Sequence, residues 1–334
     1  MQTERNIYDI TIIGGGPTGL FAAYYASLRE AKVKLIESLK KLGGQPAHLF
    51  PEKLIHDIPG HPQITGAQLT QNLVLQSKSH KPTFVVGEET QTVEAAYEQD
   101  GSKYYILRTD KHTHYTRTII IATGNGAFSP RQLNLPEAKE YENHTLHYFI
   151  PELQKFNNKT VAICGGGDSA IDWALMLESI AKIVYLIHRR PNFRAHESSI
   201  KSVKDSSIEI LTPYVPSAIE GVGTKVSRLV INKNRTDEFK ELEVDDIIVS
   251  YGFTSSYGQM RHWDLNMARG AFEVDHRYFE TNRPGIFAIG DSCYYEGKIK
   301  LIASGFGEAP QAVNGALLHI NPDANVAPIH STKL

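Results

Sequence analysis

Cysteine is nearly missing from this chain: Cys164 and Cys293 are the two among 334 residues. They form no C-x-x-C pair for dithiol exchange and cannot supply a four-ligand zinc site, and such scarcity is compatible with a reducing compartment. Long apolar runs are missing too. Stretches such as Ile10 to Ile13 and Ile119 to Ala122 are strand-sized, far below the roughly 20 residues of a membrane-spanning helix, so no transmembrane segment and no membrane partner is expected. Neither sign of charge dominates, with 35 Lys and Arg against 37 Asp and Glu, a formal charge of -2. No global basic field then draws the molecule to nucleic acid, and an acidic partner would have to meet a local patch. Met1 to Asn6 are polar and lead straight into a strand, without an apolar signal region or cleavage site, so a cytoplasmic location is expected.

What is present is a globular composition, 41% hydrophobic and 22% charged with no long polar tract, in a length that favours two domains. The opening reads as a strand from Tyr8 to Ile13, a glycine turn, a helix from about Pro17 to Arg29 and a strand from Lys32 to Glu37, together a βαβ unit. Lys41 to Pro62 is rich in Gly, Pro and Lys with little periodicity. It is expected to be a loop arching over a ligand and not a core element. Strands are expected at Phe84 to Val86, Thr90 to Tyr97, Tyr104 to Arg108 and Thr118 to Ile121. A second βαβ unit runs from Thr160 through a glycine turn and a helix to His188, its turn 151 residues after the first. Further strands are expected around Ile208 to Leu211, Val226 to Asn232, Asp246 to Ser250 and Ile286 to Ile289. The duplication predicts an α/β fold with two Rossmann-like dinucleotide-binding domains.

Gly14-Gly15-Gly16-Pro17-Thr18-Gly19 fits G-x-G-x-x-G between an apolar strand and an Ala-rich helix. In that context the glycines allow the tight turn, admit a pyrophosphate close to the backbone and aim helix amides at it. Glu37, 21 residues beyond Gly16, closes the second strand, where a carboxylate accepts from ribose hydroxyls and favours an unphosphorylated ribose. Gly165-Gly166-Gly167-Asp168-Ser169-Ala170 repeats the arrangement in its G-x-G-x-x-A form. At the place of Glu37 stands His188, followed by Arg189 and Arg190; guanidinium groups bind a 2'-phosphate that a carboxylate would repel. One glycine turn alone also serves plain βα connections. Two, in the right context and with opposite charge at the strand ends, point to FAD in the first and NADPH in the second.

Three further segments complete a pattern: Ala122-Thr123-Gly124, Tyr251-Gly252-Phe253, and Gly285 to Asp291. Together they resemble the thioredoxin-reductase-like group of two-dinucleotide flavoproteins. Over essentially the whole chain the match is nearest to the thioredoxin-reductase-like ferredoxin-NADP reductases. It rests on Gly43-Gly44-Gln45, Leu49 to Lys53, Asn125 to Phe128, Gly165 to Leu177, His188-Arg189-Arg190 with Phe193 to Glu197, Leu301 to Pro310, and the tail Ile329 to Thr332. The resemblance implies a discontinuous FAD domain, 1–122 and 252–334, with an NADPH domain, 123–251, inserted. It also implies a homodimer that passes electrons from NADPH through FAD to ferredoxin or flavodoxin.

Residue by residue, it implies that Gly14, Gly16, Gly19, Thr18 and Gln45 lie along the FAD pyrophosphate, Glu37 on the ribose, Thr90 near the adenine and Asp291 on the ribityl chain. Phe128 would lie beside the flavin and Phe50 would stack on one face; the family often has tyrosine there, and phenylalanine keeps the stacking but loses a hydroxyl. The tail would cross the dimer to set His330 on the opposite face and Thr332 near the ring. The expected NADPH contacts are Gly165, Gly167, Asp168, Ser169, His188, Arg189, Arg190 and Arg194.

The protein's task would then be placement of nicotinamide against flavin, with no acid, base or nucleophile required. We expect no metal site; His48, His56 and His61 read as surface or loop residues. Cys164 and Cys293 read as buried small hydrophobes. Lys53, Lys298, Lys300 and Lys333 each read as solvated surface charge, with a local basic docking area for acidic ferredoxin as the functional alternative. An NADPH-dependent quinone or disulfide reductase would carry the same nucleotide loops. A thioredoxin reductase proper would need a C-x-x-C, and a bacillithiol-disulfide reductase a cysteine in the first glycine loop, where Thr18 stands. A non-enzymatic nucleotide sensor is the remaining class; a yellow preparation bleached by NADPH would exclude it. Replacing Arg189 by alanine is expected to lower the preference for NADPH over NADH roughly 10- to 100-fold. The ratio of kcat/KM for the two nucleotides checks this, and an unchanged ratio would remove the NADPH assignment from the second loop.

Overall fold

The computed structural model describes residues 5–150 and 152–325, the side chains of residues 128 and 255 excepted. The chain divides into two compact units, one built from the residues up to Ala127 and from Ser255 onward, the other from Phe128 to Thr254. In the first, the strand Ile7–Ile13 is almost wholly buried and pairs in parallel with Val33–Glu37 on one side and Thr113–Ile121 on the other. Burial on both faces is why its core reads as a near-continuous apolar run. The helix Pro17–Leu28 makes the crossover, with proline in its first turn, where the missing amide costs nothing. The sheet runs in the order Thr83–Val86, Val33–Glu37, Ile7–Ile13, Thr113–Ile121, Lys103–Thr109, Thr90–Tyr97.

Thr113–Ile121 has two characters. Its first half pairs antiparallel with Lys103–Thr109, whereas Ile119 to Ile121 pair in parallel with Ile286–Ala288, which returns from the far end of the chain. Burial matches, alternating up to Arg117 and continuous from Thr118. Only the continuous part announces itself in the sequence, so the strand begins five residues before the expected Thr118. Lys41 to Pro62 also departs from expectation. It holds a short helix, Gly44–His48, and Leu49 and Ile58 are buried, Ile58 in the main core. One turn and a half of helix is too short to show a period, and Gly43 and Gly44, both at positive φ, mask it. Two longer helices complete the unit: Gly66–Lys78, started by a capping box between Thr65 and Gln68, and Ile302–Ile320, whose Phe306 ring meets Phe21 at 5.4 Å.

The second unit carries a five-stranded parallel sheet in the order Leu146–His147, Asp246–Ser250, Thr160–Gly165, Ile183–Ile187, Glu209–Leu211. A three-stranded antiparallel sheet, Tyr214–Val222, Lys225–Lys233 and Phe239–Glu243, joins it. The strand Tyr214–Val222 escapes sequence reading because it contains Pro216 and Gly221, and both stand at register shifts, where a bulge tolerates them. Asp246, fully buried, opens its strand by accepting from His147 Nε2 at 2.7 Å and Lys159 Nζ at 2.8 Å. Among the described residues, no helix is long and apolar enough to cross a membrane.

A buried polar chain joins the antiparallel strands to the parallel sheet in the first unit. Lys34 Nζ sits 4.1 Å from the Tyr8 ring centroid and donates to His114 Nδ1 at 3.0 Å; His114 Nε2 donates to Glu88 at 3.1 Å. Thr109 Oγ1 and His112 Nδ1 donate to the same carboxylate at 2.8 and 2.7 Å. Burial lowers the Lys34 pKa to about 8 despite the Glu88 charge. Burial works against the Glu88 charge too, but the donors outweigh it and hold its carboxyl at about 2, below the ordinary 4.5. A folded value below the unfolded one means that this carboxylate stabilises the fold fully above about pH 4.5 and loses that contribution as pH falls towards 2. Glu88→Gln should therefore melt lower than the parent at pH 7, with the gap closing between pH 4.5 and 2. A gap independent of pH would show that charge plays no part.

Candidate functional site

At the end of the first strand, Gly14 turns with φ +110°, and a Cβ there would collide with the Ala122 carbonyl; one on Gly19 would collide with the carbonyl of Gly14. Gly16 is different: the nearest atom to a Cβ would be Gly44 Cα at 3.9 Å. Packing demands the outer glycines, while the middle one leaves the backbone open to an approaching phosphate. Glu37, buried at its strand end, turns its carboxylate on the loop itself, accepting from Gly15 N at 2.6 Å, Leu39 N at 2.8 Å and Ser38 Oγ at 3.1 Å.

Gln45 Nε2 approaches Gly124, 3.9 Å from where a Cβ would stand, and Phe50 lies two residues past the short helix. Thr18 packs its hydroxyl between Gly290 and Gly305, so that it faces the return of the chain. Asp291 lies in the short turn Gly290–Ser292. Nearby is Tyr257, which the sequence did not single out: it is buried and donates to the Gly124 carbonyl at 3.2 Å. Burial, reinforced by the Asp291 charge, pushes its hydroxyl up to about 12. The buried hydroxyls of Thr123 and Thr90 have no partner among the described residues. Unspent buried donors cost stability unless something meets them. With the open face at Gly16, they fit a dinucleotide such as FAD, for which Gly16, Gln45, Thr90, Thr123 and Asp291 would be the holding residues.

Glu308 was also missed. It is 3% exposed in the helix Ile302–Ile320, accepts from Gly290 N at 2.7 Å and Tyr295 Oη at 2.9 Å, and pairs with Lys298 Nζ. It thus braces the backbone one residue before Asp291. An acid in an otherwise apolar helical run is the mark that would have found it. Lys298 is corrected accordingly. Its side chain is 2% exposed and neutralises Glu308, so it is no surface docking charge, and Lys300 Nζ donates to Asn125 Oδ1 at 3.0 Å.

In the second unit, Cβ atoms on Gly165 and Gly166 would strike the Ser250 carbonyl and the His188 ring, whereas one on Gly167 would find only the Arg194 carbonyl at 3.8 Å. One position of the loop is again the open one. Arg194 N donates to Gly166 O at 2.7 Å and His196 N to Asp168 Oδ1 at 3.0 Å, folding the segment after the basic strand end across the glycine loop. Arg189, Arg190 and Arg194 are exposed there, as is Ser169 in the helix's first turn. His188 stacks on Phe193 at 5.4 Å and 24°. Burial, then the three guanidinium charges, push its pKa down, so it contributes a neutral ring, and its buried Nε2 has no partner among the described residues. Three exposed guanidinium groups and an unspent imidazole nitrogen beside an open glycine fit a phosphorylated nucleotide.

Both cysteines are buried, and burial pushes each thiol up to about 12, where neither is a nucleophile at neutral pH. His48 Nδ1 bonds to Gly44 O at 2.8 Å at the end of the short helix, and His56 and His61 are exposed. Among the described residues, no group of three or more His, Cys, Asp or Glu is placed to hold a metal ion. The Phe128 side chain, His330 and Thr332 lie outside the described residues, as does Lys333.

Comparison with known proteins adds three facts. A family model described as pyridine nucleotide-disulphide oxidoreductase matches residues 8–316. The "ferredoxin–NADP reductase 2" proteins of Listeria innocua and Bacillus subtilis are 51% and 49% identical over 334 residues, each alignment covering 100% of this chain and 99% of the relative. The crystal structure of Lactococcus lactis thioredoxin reductase in its FR conformation is 28% identical, with a TM-score of 0.77 over 94% of this chain and 99% of that one. Removing the Glu308 carboxylate would strand the Lys298 charge in the interior, so Glu308→Ala is expected to destabilise the first unit by about 3–5 kcal/mol. Chemical denaturation checks this, and a loss under about 1 kcal/mol would mean that water reaches Lys298.

Proposed function

Because the chain belongs to the pyridine nucleotide-disulphide oxidoreductase family, and within it to the thioredoxin-reductase-like ferredoxin-NADP reductases, we propose that it is a cytoplasmic, homodimeric ferredoxin- or flavodoxin-NADP+ reductase. The carrying observation is the pair of glycine loops in separate units, each leading into a helix through an extended N-cap glycine, Gly16 and Gly167, with strand ends of opposite charge. Bound FAD would supply the chemistry, accepting a hydride from NADPH and releasing electrons singly to the carrier. The residues of the chain do the rest. Gly14, Gly16 and Gly19 seat the flavin nucleotide's pyrophosphate, Glu37 shapes that loop and selects an unphosphorylated ribose, and Asp291, braced by Glu308, faces the ribityl chain. In the second unit, Gly165 and Gly167 with the first turn at Asp168 and Ser169 seat the NADPH pyrophosphate, and Arg189, Arg190 and Arg194 take the 2'-phosphate.

If His330 covers the flavin face on which the nicotinamide must stack, the tail or the NADPH-binding unit has to move during turnover. Gly126 at φ +82° and Gly252 at φ +84° provide backbone freedom on the two connecting stretches. Phe50 is expected on one flavin face and His330 on the other, with Thr332 and Phe128 beside the ring. Two buried, protonated thiols speak against a disulfide acceptor served by this chain's own cysteines. NADPH-driven cytochrome c reduction should rise at least severalfold when ferredoxin is added. NADPH oxidation without that stimulation would move the acceptor to a quinone or disulfide.

A further inference from the structure

The second unit contains aromatic side chains that the glycine loop and the arginines leave unexplained. Its parallel sheet places the glycine loop after the central strand Thr160–Gly165 and the basic residues after Ile183–Ile187 on one side. On the other side come the strand ends Ser250 and His147, followed at once by Tyr251 and by Tyr148-Phe149. Gly165 pairs with Ser250, so Tyr251 comes directly after the residue paired with the loop. Phe149 and Phe253 stack at 5.6 Å and 17° between planes. Tyr251 and Phe253 each stay 38% exposed, a large share for aromatic residues beside a buried strand end.

A dinucleotide in a doubly wound sheet lies across the carboxyl ends of the strands, pyrophosphate on the glycine loop and its two nucleosides to either side. With the 2'-phosphate end directed to Arg189, the other half has to cross towards Ser250. The residues following the two strand ends there are Tyr251 and the stacked Phe149 and Phe253, with no charged side chain between Tyr148 and Ile150 or between Tyr251 and Thr254. We propose that Tyr251, with the stacked Phe149 and Phe253 that follow the same two strand ends, is a platform for the nicotinamide ring, so that the second unit holds both ends of the dinucleotide by itself. The inference rests on the NADPH reading of this unit and deepens it. An aromatic face attracts a cation more than a neutral ring, so the platform favours the positively charged oxidised nicotinamide and lets the reduced ring leave more readily. The same surface would hold product NADP+ until the next exchange.

Calorimetric titration of the oxidised holoenzyme with NADP+ and with 2'-phospho-ADP-ribose, which lacks only the nicotinamide, tests it. The parent should bind NADP+ roughly 3- to 30-fold more tightly. Tyr251→Leu and Phe149→Leu should bring that ratio towards one while leaving 2'-phospho-ADP-ribose affinity as it was, and Tyr251→Phe should keep the parental ratio. A parental ratio near one, or one that survives both leucine variants, would overturn the platform. So would equal loss of both ligands in both variants, which would make these residues supports of the sheet. Absence of 2'-phospho-ADP-ribose binding to the parent would instead remove the NADPH reading underneath, and the platform with it.

Discussion

Three residues, Ile286 to Ala288, lie parallel against Ile119 to Ile121, and the first unit's site depends on that register. The strand is short, but its neighbours are buried on both faces, so a slip by one residue would turn its apolar side chains the wrong way. Held in place, it delivers Gly290 and Asp291 beside the first glycine loop, and the long helix after it brings Glu308 back beneath them. Thr18 and Gly290, 272 positions apart in the chain, are thereby brought side by side.

The two glycine loops show how such a turn is made. In each, the close contacts are set by the protein's own backbone or side chains, and at one position a Cβ would meet nothing nearer than ordinary van der Waals contact: Gly16 in the first, Gly167 in the second. The residues at the end of the next strand then differ. Glu37 is spent on holding its own loop together through Gly15 and Leu39, whereas the arginines after Ile187 stay exposed. The same glycine pattern thus occurs twice, followed by strand ends of opposite charge.

Charge in the interior obeys a common rule. Glu308 with Lys298, Glu88 with His112 and His114, and Asp246 with His147 and Lys159 all meet their opposite number or a full set of donors. Each ties together separate elements, for which an apolar contact would specify less geometry. Of the five buried polar atoms without a partner among the described residues, those of Thr90, Thr123 and His188 fall among the residues proposed to hold the nucleotides, whereas those of Thr11 and Ser27 do not.

The sequence by itself determined what local periodicity and turn chemistry encode: the two βαβ units, the glycine loops, the opposite charges at Glu37 and Arg189, and the burial of both cysteines. Those properties reside in runs of a dozen residues and need no partner from elsewhere. Tertiary structure decided the rest. The alternating half of Thr113–Ile121 is a strand only because Lys103–Thr109 covers it, and Tyr214–Val222 only because its partner absorbs a proline and a glycine at bulges. Lys298 looked like a surface cation and is neutralised in the interior, because a carboxylate ten residues on in the chain comes back to it through a helix. Tyr257 and Glu308 joined the site for the same reason. A side chain's role there depends on what long-range packing places beside it, and no local pattern records that.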